Sequence, residues 1–471
     1  MSKTILAIDI GSTKICAIIA EIVDAKVKIQ GHGISKSQGI KKGVITNIEL
    51  SSKAIKKAIN DAKRIAGSNI TSATISISNA YAKSLLSTGV VNIPHKDISI
   101  KEINRVMQTA LYNANVPTEY EIIHVLPYNF RVDEQDSIED PYGMNASRME
   151  VDVNIIMTQK SNLSNLKKAV RSAGVEIEGI VLNGYASAIA TMGEDEKELG
   201  VAVIDLGGQT SNIVIHIGNS IRYNDFLGVG SNHITNDLSM ALHTPLQIAE
   251  NVKLMHGNLT ETSNESIELP IIGDEENHNS VSLEIVHSVI FSRIEETLIL
   301  LANSLEKSTL KGQIGAGVIL TGGMTKLKGM RELAQSIFPS MPVRIEKVNR
   351  SIEDLFDELK DPAYSTVLGL LLYSAGEYTQ YEINFQQELL HSKDINEENL
   401  SDIKIKNTIN EVEDIKSAKH KKDEAINTHK DEENKTSFDK ENAFSFDDLP
   451  NISEEYNNPI RKLTNWAKQL F

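Results

Sequence analysis

The sequence predicts an α/β protein whose two related lobes close on a shared phosphate cleft. Three observations carry that expectation. Residues 201–213, VAVIDLGGQTSNI, read as a buried strand, a tight glycine turn at Gly207 and Gly208, and a second strand. Residues 4–14, TILAIDIGSTK, repeat the pattern at the start of the chain. A third strand–glycine turn, GVILTGGMTKLK over 317–328, opens toward a helix.

The run Val-Ala-Val-Ile is continuous and apolar, as a strand covered on both faces requires. Asp205 closes that strand, and Asp9 closes its earlier counterpart. Glycine lets the backbone approach a ligand with no Cβ between them. Past the turn, Gln209, Thr210 and Ser211 offer amide and hydroxyl groups; in the first copy Gly11 is followed by Ser12, Thr13 and Lys14 in their place. A carboxylate, bare N–H groups and hydroxyls suit a phosphate with its Mg²⁺. One such turn reads equally well as a plain hairpin, but two copies point to half-domains that each give one phosphate loop. The paired glycines of the third turn, Gly322 and Gly323, suit a nucleotide cradle.

A chain of 471 residues is long enough for two or more lobes. A net charge of −16 argues against a general nucleic-acid binder, which needs a basic face. The single cysteine, Cys16, excludes an internal disulfide, fits a reducing cytoplasm, and reads as a small core residue. No basic leader with a long apolar run opens the chain, and no stretch is apolar enough to span a bilayer.

In order along the first lobe, residues 26–34 form a third strand. A helix follows with Ala54, Ile55, Ala58, Ile59, Ala62, Ile65 and Ala66 inward and Gly67 as its stop. Residues 73–78 alternate as a strand. Residues 84–160 differ in character. Ser99-x-x-Glu102 is a capping box opening a helix, and extended runs at 121–132 and 148–157 flank an acidic loop. This is an inserted α+β subdomain, either a decoration of the first lobe or a contact surface for a partner. A helix at 163–173, a strand at 175–182 and a small-residue helix at 183–191 return to the lobe. That last helix suits a hinge as well as an ordinary tight helix contact.

The second lobe opens at Gly200. Gly228 and Gly230 precede a helix at 232–242, and another helix covers 244–257 with Pro245 in its first turn. Glu250 and Lys253 share a face of it and by default form a surface pair. A loop and short hairpin fill 258–281, a long helix at 282–305 carries Arg293, a helix covers 327–338, and a small-residue helix at 364–375 closes the globular part. His124, His216 and His243 lack metal spacing and read as structural. The domains are then a lobe 1 core at 1–83, continued by 161–195 and 360–380; the insert at 84–160; a lobe 2 core at 196–242, continued by 306–359; and an upper subdomain at 243–305.

Residues 384–456 have few apolar side chains and carry about half of the net negative charge, the signature of a disordered acidic linker. As a coil it would reach roughly 45 Å. At 458–471 order returns as a helix. Ile460, Leu463, Trp466, Leu470 and Phe471 share one face, with Arg461, Lys462 and Lys468 on the other. That helix is too short to span a membrane, but its apolar face and basic flank suit the headgroup layer of an anionic bilayer. A protein surface is the competing berth.

These motifs resemble a known superfamily. IDIGSTK, VIDLGGQTSNI and VILTGGMTKLKGM resemble the first phosphate, second phosphate and adenosine motifs of the actin/Hsp70/sugar-kinase proteins, and NGYASAIA and AYSTVLGLLLY resemble their connecting helices. Within that group EIIHVLPYNFRVD, DPYGM, RMEVDVNIIM, TPLQIAENVKLMHG and the amphipathic tail resemble the FtsA family, bacterial division proteins that link the tubulin-like FtsZ ring to the membrane. The resemblance runs over 3–380. It implies an actin-like two-lobed ATPase fold holding ATP and Mg²⁺, with Asp9 and Asp205 on the metal through water. Gly11, Ser12, Thr13, Lys14, Gly207, Gly208, Gln209, Thr210 and Ser211 would hold phosphates. Gly230 would also border the nucleotide, Glu250 and Lys253 would lie near ribose and adenine, and Gly322, Gly323 and Met324 beneath.

The resemblance further implies head-to-tail self-assembly through the insert, an acidic FtsZ C-terminal peptide meeting Arg293, other division proteins as partners, and a place on the cytoplasmic face of the inner membrane at the division site. The family loop reads D-x-G-G-G-T-x-D; here Gln209 replaces the third glycine and Asn212 the second aspartate. Binding is expected to survive and hydrolysis to be slow at most, which a scaffold tolerates. Two alternatives remain: an actin-like platform of a type IV pilus system, and a sugar-kinase-type phosphotransferase, for which no base or sugar cleft is evident.

Overall fold

A computed structural model describes residues 3–391, except 24–25, 262, 347 and 349–351. Most of the acidic linker and the whole terminal helix lie outside the described residues.

The first lobe opens with β1 (Lys3–Ile10), β2 (Lys14–Val23), β3 (Lys26–Lys36), a small hairpin of β4 (Ile40–Lys41) and β5 (Val44–Ile45), α1 (Ile48–Ala66) and β6 (Ser72–Ile77). The insert contains β7 (Ala82–Asn92), α2 (Ile100–Asn113), β8 (Tyr120–Val132), β9 (Gln135–Ile138) and β10 (Arg148–Gln159). The chain returns through α3 (Lys160–Ser172), β11 (Glu176–Leu182), α4 (Asn183–Thr191) and α5 (Glu194–Leu199). The second lobe holds β12 (Val201–Leu206), β13 (Ser211–Ile217), β14 (Ser220–Leu227), α6 (Ser231–Ala241), α7 (Leu246–His256), β15 (Ser266–Ile271), β16 (Asp274–Ser282) and α8 (Leu283–Lys307). It ends with β17 (Gly317–Thr321), α9 (Met330–Ile337) and β18 (Val343–Ile345), before β19 (Ile352–Glu353) and α10 (Ser365–Ala375) rejoin the first lobe.

The duplication inferred from two short motifs extends through both sheets. The first sheet runs β11-β6-β1-β2-β3-β19 and the second β14-β13-β12-β17-β18. Reversed, the second has the order of the first five strands of the first sheet, a three-strand meander with two parallel strands beyond one edge; β19 adds a sixth strand to the first sheet alone. Register carries the match to single residues. Asp9 pairs with Cys16 and Ile10 with Ile15; Asp205 pairs with Asn212 and Leu206 with Ser211. Each turn closes alike, Gly11 N–H donating to the Lys14 carbonyl (3.1 Å) and Gly207 N–H to that of Thr210 (2.9 Å). Ser12, Thr13 and Lys14 therefore match Gly208, Gln209 and Thr210, one position earlier than the motif comparison placed them.

Helix α1 buries Ala54, Ile55, Ala58, Ile59 and Ala62, is capped by the Asn47 side chain, and stops at Gly67 in the left-handed region; in its last turn Ala66 is only partly buried and Ile65, expected inward, is exposed. The insert sheet, β7-β10-β8-β9, carries α2, whose start shows the expected capping box. Strand β7 escaped the sequence reading because it is a half-exposed edge whose apolar alternation is weak. The helix after the third glycine turn begins at Met330, not 327, because residues Gly323–Lys326 take one 3-10 turn and Leu327 is extended.

The two small-residue helices, α4 and α10, cross each other. A Cβ on Gly369 would overlap the Ala186 carbonyl oxygen and lie 3.0 Å from Ala186 Cα. Backbone cannot yield as a side chain does. Gly369→Ala is therefore expected to destabilise the protein by about 3 kcal/mol through overpacking. Urea unfolding would show it as a lower midpoint at unchanged slope.

Residues 384–391, read from sequence as the start of the linker, pack onto the globular part. Ile383 exchanges backbone hydrogen bonds with Val125 (3.0 and 2.9 Å), and Leu390 N–H donates to the Glu382 carbonyl. Beneath them Glu382, fully buried, accepts from His124 Nδ1 (2.6 Å) and from the Tyr185 and Tyr373 hydroxyls (3.0 and 2.8 Å). The Leu182 N–H donates to His124 Nε2, so Nδ1 holds the proton. His124 is thus structural, tying the chain's exit to β8, α4 and α10. His216 is buried too, and burial pushes its imidazole down to about 3. Among the described residues no helix is long and apolar enough to cross a membrane.

Candidate functional site

Strands β1 and β12 both end at the cleft between the lobes, and each delivers a nearly buried carboxylate there, Asp9 and Asp205. Asp9 accepts from the Ser76 hydroxyl (3.0 Å), and Asp205 from Ser187 (3.0 Å) and Thr366 (3.3 Å). Burial pushes Asp9 up to about 6, against the pull of Lys14 and Ser76, with Asp205 adding to the rise. Asp205 is raised as well, by burial first, while Ser187, Thr366, Lys14 and Asn212 oppose. Lys14 donates to the Ala363 carbonyl (2.6 Å) and stands 3.3 Å from the Tyr364 ring centre; burial lowers its pKa.

The cleft is a cavity of about 510 Å³, within the usual range for a ligand site. Its wall includes Asp9, Gly11, Ser12, Thr13, Lys14, Asp205, Gly207, Gly208, Gln209, Thr210, Glu250, Lys253, Gly322, Gly323 and Met324. Fifteen residues from four distant stretches thus meet as expected. Gly322 sits at φ +91°, where a Cβ would overlap Asp205 Oδ1. Glu250 and Lys253 do pair (2.7 Å), but Lys253 is buried, also donates to Thr235 Oγ1 (2.9 Å) and the Ser231 carbonyl (3.2 Å), and the pair lines the cleft. The surface-pair default is corrected.

Two expected residues stand back from the cleft. Ser211 is fully buried and donates to the Val229 carbonyl (2.9 Å). Gly230 lies behind the second turn: a Cβ there would be 2.6 Å from the Gly207 oxygen, and its absence lets the α6 N–H groups of Ser231 and Asn232 donate to the Gly207 and Gly208 carbonyls. Arg293 is not a free cation either; it is half-buried and bound to Asp237 (2.5 Å) and Glu296. Missed from sequence were Ser76, Ser187 and Thr366. Ser76 lies on β6, and α4 and α10 each carry more than one hydroxyl, so no local pattern singled these three out.

The residues present fit a nucleotide with a hydrated cation. Glycine walls admit phosphates closely. Asn183 Oδ1 and Asn212 Oδ1 are buried, line the cleft and have no protein partner, leaving two acceptors for water on a metal. Among the described residues no cluster of three His, Cys, Asp or Glu groups could hold a cation directly. The resemblance implies that Asp9 and Asp205 would act on such a cation through water.

Residues 202–369 match the model of the cell division protein FtsA, and residues 79–157 match that of the SHS2 domain inserted in FtsA. The FtsA protein of Helicobacter pylori strain J99 is 42% identical over 415 residues, covering 81% of this chain and 83% of its own length. The chain belongs to the FtsA family. FtsA of Pseudomonas aeruginosa strain PAO1 is 36% identical over 375 residues, covering 79% of this chain and 89% of its own. The structure of a PilM–PilN type IV pilus biogenesis complex aligns with TM-score 0.57 at 16% identity, covering 79% of this chain and 98% of that one; it bears on the actin-like fold alone. The inserted sheet β7–β10 coincides with the FtsA SHS2 match.

Burial of a carboxylate in this FtsA cleft destabilises the empty protein. Raising the Asp9 pKa from 3.8 to about 6 means the folded state binds the proton more tightly. Stability from this group falls as pH rises through that window, by about 3 kcal/mol in all. Asp9→Asn keeps the acceptor for Ser76 and removes the charge. The ligand-free variant is expected to melt several degrees higher than wild type at pH 7.5, as scanning fluorimetry would read.

Proposed function

We propose that this FtsA-family chain binds ATP with Mg²⁺ between its lobes, assembles head to tail, and tethers an FtsZ ring to the cytoplasmic face of the inner membrane through its C-terminal helix. The observation that carries the nucleotide reading is the pair of duplicated turns converging on one cavity, each preceded by a strand that delivers a buried carboxylate. Thr13, Lys14 and Thr210 present hydroxyls and a cation to phosphates, Glu250 and Lys253 face the sugar and base, and Gly322 to Met324 form the floor. Bound Mg²⁺ would offset phosphate charge and draw on Asp9 and Asp205 through water.

Turnover is slow in this reading. Each carboxylate lining the cleft is already engaged: Asp9 by Ser76, Asp205 by Ser187, Glu250 by Lys253 and Asp361 by Lys326. The bound nucleotide then acts by holding the lobes in an assembly-competent arrangement. The surface of α8 meets the acidic FtsZ peptide end, which shares the Arg293 guanidinium with Asp237. Titration of the full chain with a fluorescent ATP analogue tests the core of the proposal. Saturable, Mg²⁺-dependent binding that ATP displaces supports it; a folded chain that binds none overturns it.

A further inference from the structure

Strands β4 and β5 are joined by a two-residue turn, Lys42–Gly43, with both residues at positive φ (45° and 78°). Such a turn leaves the N–H groups of its central residues outside the ladder. Here they serve opposite lobes. Gly43 N–H donates to Ser12 Oγ (2.8 Å) on the first phosphate turn, and Lys42 N–H donates to Gln209 Oε1 (2.8 Å) on the second. A Cβ on Gly43 would overlap Ser78 Oγ, so the hairpin lies directly against the first lobe. Gln209 supplies its hydrogen bond to the second.

That bond also orients the carboxamide. Lys42 N–H is a donor, so the group it meets is the oxygen, and the two-proton donor Nε2 takes the other side. Gln209 lines the cleft. A glycine at this place could neither hold the hairpin nor present a donor.

We infer that Gln209 is a positioning residue with two tasks. Through Oε1 it straps the 40–45 hairpin across both phosphate turns, and through Nε2 it donates to the terminal phosphate of a nucleoside triphosphate. The cleft then distinguishes tri- from diphosphate by a side chain rather than by backbone alone. The second task rests on the nucleotide reading above; the first does not.

The test compares full-length wild type, Gln209→Glu and Gln209→Gly by two measurements. One is amide hydrogen exchange over 40–45 without nucleotide; the other is the ratio of ATP to ADP affinity in Mg²⁺. Glutamate keeps the acceptor for Lys42 N–H and replaces the donor by a negative charge. Its exchange at Lys42 should stay as slow as wild type, while its preference for ATP falls about tenfold. Glycine should speed exchange at Lys42 about tenfold or more and lose the preference as well. Unchanged exchange in Gln209→Gly overturns the strap. An unchanged ATP-to-ADP ratio in Gln209→Glu overturns the phosphate contact. If wild type binds neither nucleotide, the nucleotide reading and the phosphate contact fall together, and the exchange comparison still decides the strap.

Discussion

Gly208→Val abolishes nucleotide binding while leaving both lobes folded. A Cβ on Gly208 would overlap Thr13 Oγ1 and lie 2.9 Å from Thr13 Cβ. Thr13 belongs to the first turn and Gly208 to the second, so the two turns touch here. A branched side chain there must push the turns apart, and in the proposed nucleotide complex each turn carries backbone that approaches phosphate. Misplacing such groups by an ångström costs about a hundredfold. The expected result is a loss of ATP-analogue affinity of about a hundredfold or more, with circular dichroism unchanged. The cause can be isolated. Gly208→Ala combined with Thr13→Gly removes the Thr13 atoms that a Cβ on Gly208 would overlap, and should bind no worse than Thr13→Gly alone. Binding by Gly208→Val within about twofold of wild type would mean that the turns separate without cost, and the paired-loop account of the cleft would fail.

What sequence reveals here is local and repeated. Asp9 and Asp205, the flanking glycines and the capping box at Ser99 follow from short patterns that determine their own backbone, and each stands where its pattern puts it. What sequence hides is partnership across distance. Ser187 and Thr366 lie far apart in the chain, and only the crossing of α4 with α10 brings both hydroxyls to Asp205. The 40–45 hairpin carries no phosphate motif, yet its turn bridges both loops. Arg293 reads as a free basic residue until α6 brings Asp237 beside it. The one-residue offset between the two turns has the same origin, because hydrogen-bonded register rather than residue similarity sets the equivalence. Residues 384–391 look like linker because half of them are Asn, Gln or Glu, but Phe385 and Leu390 pack on the first-lobe core and Leu390 N–H donates to the Glu382 carbonyl.

If the proposed membrane tether holds, Trp466→Glu is expected to release the chain from anionic membranes. The terminal helix lies outside the described residues, so this expectation rests on its pattern: Ile460, Leu463, Trp466, Leu470 and Phe471 on one face, Arg461, Lys462 and Lys468 on the other. An interfacial helix binds through buried apolar area plus attraction of its cations to anionic lipid. Removing the indole forfeits about 2–3 kcal/mol of burial. The new carboxylate adds about 1 kcal/mol of repulsion near an anionic surface. One tail binds weakly, so that sum is enough to empty the bound state. A filament presenting many tails multiplies the difference through avidity. In co-sedimentation with anionic vesicles the variant should stay in the supernatant, as should a chain ending at Tyr456, while both keep wild-type affinity for the ATP analogue. Wild type should also detach as salt rises, since part of its attraction is screened. If Trp466→Glu pellets like wild type, the apolar face is not in the lipid. The helix must then dock on protein, and the net charge of −16 would act against membrane recruitment with nothing in the chain to offset it.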